Sequence, residues 1–312
     1  MATNTSAASA RILEVLDLAE EEPSVEDLVP YLNDSEPEVR RIALSVLSEA
    51  PPSWEEASPL VAAGLLDPDA SVRAAAIGHL QELREVLVAG QEFAATLQRA
   101  ALAPQAATRA AALGALWRHH LATIDVLAAA FADEDAEVRR EVVLGMVSLD
   151  ALAELEHAAG DDEPLVRLTV AHGIVTVGYP TGLPVLMRLT DDVDVRVRAA
   201  ALGAMAVTGC SPQAAELACA ALGDPAWEVR AGACAALSAA SGAAAEAALA
   251  RATHDENLDV RKAAVRALAH SALSNGESRE ALRRCLADPD ADVRAFARMA
   301  LSAPDADAPP PH

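Results

Sequence analysis

The sequence predicts an all-α protein, a solenoid of about nine stacked helix pairs. A ninefold sequence frame, a helical period in the residues that follow it, and an alanine-rich composition carry that reading. The frame is Val-Arg with an aspartate six residues before the arginine. Its arginines are Arg40, Arg73, Arg109, Arg139, Arg167, Arg198, Arg230, Arg261 and Arg294, spaced 28 to 36 residues apart. Its aspartates are Asp34, Asp67, Asp133, Asp161, Asp192, Asp224, Asp255 and Asp288. The third copy departs from the frame, with Ala103 in place of aspartate and Thr108 in place of valine. Units of this period stack in one dimension, so 312 residues need no central core.

Within each unit the frame reads as a helix start. A capping residue stands four before the arginine in Asp69, Asp135, Asp194, Asn257 and Asp290, able to accept from an orphan backbone N–H. Proline follows in two copies, Pro37 and Pro164, as suits a first helical residue. An acidic side chain often comes next, at the positive end of the helix dipole. Apolar residues then recur at helical spacing, for example Ala112, Leu113 and Leu116. Upstream of each aspartate lies a second amphipathic stretch, such as VEDLVPYL or ESREALRRCL, and PPSW, GYPTG, GCSP, SG and NG separate the units. Neither helix of a pair can bury its apolar face alone.

Composition fits this reading. The chain is 52% hydrophobic but only 3% aromatic, so alanine fills much of the core. Alanine combines the best helix propensity with close helix approach. A net charge of −23 argues against nucleic acid or an anionic membrane as partner. The acidity is uneven, with 13 acidic and 3 basic residues in 1–60 against 8 and 9 in 251–303. No signal-peptide pattern opens the chain and no run is long and apolar enough to span a bilayer. Cys210, Cys219, Cys234 and Cys285 lack CxxC spacing and read as reduced thiols, so a cytoplasmic location is expected. The near absence of lysine (Lys262 alone), with the alanine content, suggests a bacterial source.

The Asp-x5-Arg frame resembles that of HEAT repeats, in particular the short variety found in phycobiliprotein (PBS) lyase subunits. The resemblance covers roughly residues 24 to 303. It implies a right-handed α-α superhelix whose second helices line a concave side. It also implies that the eight aspartates and their arginines form a structural ladder, with partners such as Asp224 and Arg230 paired and buried. The expected organisation is a disordered tail over 1–9, one solenoid over 10–303 and a disordered tail over 304–312.

With the frame arginine as position zero, positions −1, +3, +6, +7 and +10 form the core face of the second helix. Positions +1, +5, +8 and +12 point the opposite way. On that open face Trp117, Leu144, Val147, Leu168 and Val175 make an apolar stretch, with Gly114 and Gly203 allowing close approach to the backbone. His172, the one histidine at +5, lies at its centre. An exposed apolar patch of this kind marks a binding surface. The expected role is therefore a scaffold that holds a partner peptide or helix in this groove. A second reading is handling of an apolar small ligand, tetrapyrrole-like, as in the lyase subunits that the repeats resemble.

No catalytic residue, metal site or cofactor is expected. His172 has no carboxylate or cysteine at helical spacing to orient it for acid–base work. The His-Glu pairs of the iron-binding deoxyhypusine hydroxylases of this fold are absent, Glu156-His157 being reversed and single. The basic, aromatic groove of HEAT-like DNA glycosylases is absent too. No P-loop, GxGxxG or GxSxG motif occurs.

Overall fold

The computed structural model describes residues 2–49, 51–177, 181–270 and 276–302. Among the described residues there are nineteen α-helices and no strands. They divide into two compact units, Met1–Leu149 and Asp150–His312.

Unit 1 opens with α1 (Ala2–Glu20) and continues with four helix pairs. The first helices are α2 (Val25–Leu32), α4 (Trp54–Ala63), α6 (Gln91–Ala100) and α8 (Ile124–Ala128). Their partners are α3 (Pro37–Glu49), α5 (Ala70–Glu82), α7 (Ala106–Arg118) and α9 (Ala136–Ser148). Unit 2 holds five pairs. The first helices are α10 (Leu152–Ala158), α12 (Leu183–Leu189), α14 (Pro212–Ala221), α16 (Ala243–Ala252) and α18 (Gly276–Cys285). Their partners are α11 (Pro164–Val177), α13 (Val195–Thr208), α15 (Trp227–Ser238), α17 (Leu258–His270) and α19 (Ala291–Ser302). Inside each unit every first helix packs on its own partner, and successive second helices pack on one another.

Two positions explain why the pairs stack. At +3 the nine side chains are Ala43, Ala76, Ala112, Val142, Val170, Ala201, Ala233, Ala264 and Ala297, all at 0% exposure. Small residues there let second helices approach closely. At −1 the valines and Thr108 are buried as well. Position +4 is buried too, in Leu44, Leu113, Val143, Leu202 and Val265.

The ladder runs between units of the repeat. Arg40 Nε donates to Asp67 Oδ2 at 2.7 Å, while its Nη1 donates to the Asp34 carbonyl at 2.8 Å. Arg109 does the same with Asp133 and the Ala103 carbonyl. In unit 2 Arg167 pairs with Asp192, Arg198 with Asp224, Arg230 with Asp255 and Arg261 with Asp288 at 2.6–3.0 Å. Each aspartate also accepts the backbone N–H two residues on, as Asp224 does from Ala226 at 2.8 Å. The expected side-chain pair Asp224–Arg230 is therefore corrected: Arg230 reaches only the Asp224 carbonyl, at 3.0 Å, and its carboxylate partner is Asp255. Six residues along the chain leave the two groups of one copy on the same turn, where the guanidinium meets backbone. The stacking distance brings in the next carboxylate.

Ala103 leaves a gap in the ladder. Arg73 donates to the Asp67 and Pro68 carbonyls, but among the described residues no carboxylate lies within ion-pair distance of it. Thr108 partly compensates, its hydroxyl reaching the Leu65 carbonyl at 3.4 Å. Residues 2–9, expected as a disordered tail, belong to α1, whose Arg11 pairs with Asp34 at 2.6 Å. The α1 helix packs on α3 and supplies a rung before the first recognisable copy. The expected tail at 304–312 lies outside the described residues.

Candidate functional site

In unit 1 the second helices α5, α7 and α9 lie side by side, and a cleft of about 450 Å3 opens along them. Its floor is lined by methyl groups of α7, from Ala107, Ala110, Ala111 and Ala115. Ile77 and Leu80 of α5 extend the apolar wall. Charged side chains complete it: Arg84, Arg118, Arg140, Glu137 and Glu141.

Glu141 organises these charges. It is 8% exposed and accepts from the Trp117 indole N–H at 2.9 Å and from Arg118 at 3.3 Å. An Arg140 amino group lies 3.7 Å from the same carboxylate. Arg118 stacks over the Trp117 ring, 4.4 Å from its centroid, which adds a cation–π attraction to the ion pair. Gly114 lies beneath and leaves room for this arrangement. A Cβ at Gly114 would collide with the Arg118 guanidinium and stand 2.9 Å from Glu141 Oε2. Arg140 Nε lies 2.9 Å from Glu137 Oε2, yet it is buried without an aligned hydrogen bond. At the cleft wall His119 packs edge-on against the fully buried Phe93, with centroids 5.3 Å apart. Burial, and then the neighbouring Arg118, hold the His119 pKa below the ordinary imidazole value, against the opposing pull of Glu85.

In unit 2 the corresponding face is smaller in side chain. His172 on α11 is exposed, with Leu168 and Val175 half-buried one turn to either side. On α13 a Cβ at Gly203 would meet nothing within 4 Å, so open space lies above the backbone. Ala199 and Ala206, and Ala231 and Ala235 on α15, are half-exposed beside it. Lys262 on α17 pairs with Asp292 at 2.8 Å. Among the described residues no group of three His, Cys, Asp or Glu side chains is placed to hold a metal ion.

The family model described as HEAT repeats matches residues 25–117, 124–206 and 215–302. The chain belongs to the HEAT-repeat family. Solved structures share the fold, two of them as follows. A crystal structure of an engineered protein is 19% identical with a TM-score of 0.55, covering 94% of this chain and 95% of that one. The second match is a chain of the structure in which Kap95p binding induces the switch loops of RanGDP to adopt the GTP-bound conformation. It is 14% identical with a TM-score of 0.62 over 93% of this chain, and this chain spans about half (49%) of its length. Comparison with curated protein sequences gives no match.

The HEAT solenoid distributes the sequence-predicted site residues between its two units. Gly114, Trp117, Leu144 and Val147 stand on α7 and α9, and Leu168, His172, Val175 and Gly203 on α11 and α13. The open character expected of three of them is corrected. Gly114 is buried, because the approach it permits is made by Arg118 and Glu141 of the same unit. Trp117 is half-buried with its N–H engaged, and Val147 is only 9% exposed. Sequence reading missed Glu141. Its signal was its position: +2 is Ile42, Ala75, Ala111, Thr169, Ala200, Gly232, Ala263 or Phe296 in the other copies, and Glu141 alone is charged.

Proposed function

We propose that this HEAT-repeat protein is a scaffold that holds a peptide or helix of a partner protein against its second-helix face. The observation that carries the reading is the uncovered floor of unit 2, where His172 is exposed and Gly203 opens to free space. A floor of glycine and alanine lets a partner backbone approach within van der Waals distance. Leu168 and Val175 supply apolar contact and His172 a hydrogen-bonding group, the combination a helix-in-groove contact uses. The four cysteines are free thiols, which supports a reducing compartment such as the cytoplasm. Among the described residues no helix is long and apolar enough to cross a membrane.

Photo-crosslinking tests the proposal. A photoreactive residue at Gly203 or Ala206 should capture one stoichiometric protein in cells, and one at Glu216 on α14 should not. Replacing Gly203 with Arg should abolish the capture without lowering the melting temperature. Capture of the same species from Glu216, or none from Gly203, would sink the assignment of this face. For the captured partner, His172→Ala should weaken binding by about 1–2 kcal/mol, the scale of one hydrogen bond and its contacts.

A further inference from the structure

The unit-1 cleft has a different chemistry from the unit-2 floor. Three guanidiniums, Arg84, Arg118 and Arg140, face two carboxylates, Glu137 and Glu141, across a methyl-lined floor. Each guanidinium has one carboxylate beside it, Glu85, Glu141 and Glu137 in turn, so the charges balance locally on a chain whose net charge is −23. Arg118 has Glu141 and Arg140 has Glu137 with Glu141 more distant, but a guanidinium carries five N–H donors, so most of their donors have no carboxylate acceptor. The Arg140 Nε–H is buried without an aligned acceptor. Arg84 answers only to Glu85, and that pair is highly exposed and correspondingly weak. Trp117, Glu141 and Arg118 hold one another in place, so the Arg118 guanidinium is arranged before any ligand arrives, which lowers the ordering cost of binding.

We infer that this cleft binds a single carboxylate carried on an apolar body, with Arg140 and Arg118 receiving the charge and Ala110 and Ala111 the apolar part. The volume of about 450 Å3 lies in the range of small-ligand pockets. Spare guanidinium donors beside balanced charges suit a monoanion. A phosphate dianion or a nucleic-acid backbone would bring excess negative charge into a strongly acidic protein. The carboxylate can belong to a free acid or to the end of a peptide chain. The inference does not rest on the unit-2 face and shares no residue with it.

Calorimetric titration of the full-length protein with matched probes tests it. Octanoate and octanamide form one pair, and acetyl-Ala-Ala-Leu as free acid and as amide the other; octyl phosphate is the fifth probe. In at least one pair the acid should bind saturably at one site, and at least ~10-fold more tightly than its amide, the scale of a charge-assisted hydrogen bond. The pair that responds identifies the source. Arg140→Gln should remove the acid's advantage, and Arg84→Gln, at an exposed position that cannot unfold the helices, should reduce it. Ala111→Phe, which fills the floor and keeps every charge, should block acid and amide alike. No saturable binding of either acid would overturn the inference. So would equal affinity for acid and amide, an acid preference that survives both arginine substitutions, or tighter binding of octyl phosphate than of either acid.

Discussion

Trp117 behaves differently from the exposed groove anchor that its +8 position suggests. Its indole N–H satisfies the buried Glu141, and its Cβ stands 3.3 Å from where a side chain at Gly145 would begin. Trp117→Phe should therefore cost unit 1 about 1–2 kcal/mol for the lost hydrogen bond to the buried carboxylate, and Trp117→Ala about 2–4 once the void is added. Urea denaturation measures both, and equal stabilities for the three proteins would show the indole to be idle. Two half-buried histidines give a second residue-scale expectation. Burial holds the pKa of His79 and of His119 below the ordinary value, with Arg118 and His120 adding to the effect at His119 and Glu82 and Glu85 opposing. Both are thus neutral in the fold, and the unfolded chain binds the extra protons. Their contribution is fully present above the unfolded pKa of about 6.5 and is lost as pH falls toward their folded values. The melting temperature should fall between pH 7.5 and 5.5, and His79→Gln with His119→Gln should flatten that fall. His172 was legible at this scale because helical period sets +5 opposite the core face and no neighbouring side chain covers it, unlike Gly114 at the same position. Glu141 was not, because its role depends on Trp117 and Arg118, 23 or 24 residues away, across a helix contact that periodicity cannot assign.

At the scale of the helix pair, the ladder joins each copy to the next as well as tying its own turn. The Arg230 guanidinium holds the Asp255 carboxyl below the usual carboxylate range, outweighing the burial that opposes it. Replacing Asp224 strips Arg198 of its carboxylate and Ala226 of its N–H acceptor, whereas replacing Arg230 loosens both Asp224 and Asp255. Each change to alanine should destabilise by about 1–3 kcal/mol, because it orphans a part-buried partner. Since the two act on overlapping rungs, the double variant should cost less than the sum. Strict additivity in thermal unfolding would mean that the rungs are independent. The sequence placed aspartates and arginines of the frame in a ladder but could not say which bonded to which, since the Asp-x5-Arg spacing is local and the stacking contact is not: Arg109, in the copy that departs from the frame, pairs with Asp133, while Arg73, among the described residues, has only carbonyl acceptors. The interruption at Ala103 offers the converse experiment. Ala103→Asp places a carboxylate where Arg73 lacks one and where the Gln105 N–H, at an uncapped helix start, can use an acceptor. It should raise stability by about 1 kcal/mol. A lower melting temperature would show that the 7% exposed site cannot hold a charge.

For the molecule as a whole, the ninefold frame and the −1 and +3 positions made the HEAT architecture readable, because a repeat writes the same contact many times. The division at Leu149 and the extra helix α1 were not readable. Neither changes the frame: α1 lacks the Asp-x5 segment ahead of Arg11, and nothing in the Asp133–Arg139 or Asp161–Arg167 copies marks a boundary. Charge poses the remaining problem at this scale. The ladder consumes aspartates and arginines in equal numbers, so it neutralises itself and leaves the −23 to side chains on the surface. Those surface carboxylates repel one another in the compact state, and mobile ions screen that repulsion. The Debye length shrinks from about 30 Å at 0.01 M salt to about 3 Å at 1 M. Part-buried rungs such as Arg167–Asp192, with side-chain exposures of 8% and 6%, are shielded from those ions by the helices around them. Salt should therefore relieve the repulsion without weakening the ladder. The melting temperature should rise by several degrees between ~0.02 M and ~0.5 M sodium chloride, with most of the gain below ~0.2 M, where screening changes fastest. The charge-reversing pair Glu55→Lys and Glu56→Lys, in the acidic N-terminal region, should reproduce part of that gain at low salt and shrink the response to added salt. A melting temperature that falls with salt would instead mean that surface ion pairs, such as Arg41–Glu38 and Arg196–Asp194, outweigh the net repulsion.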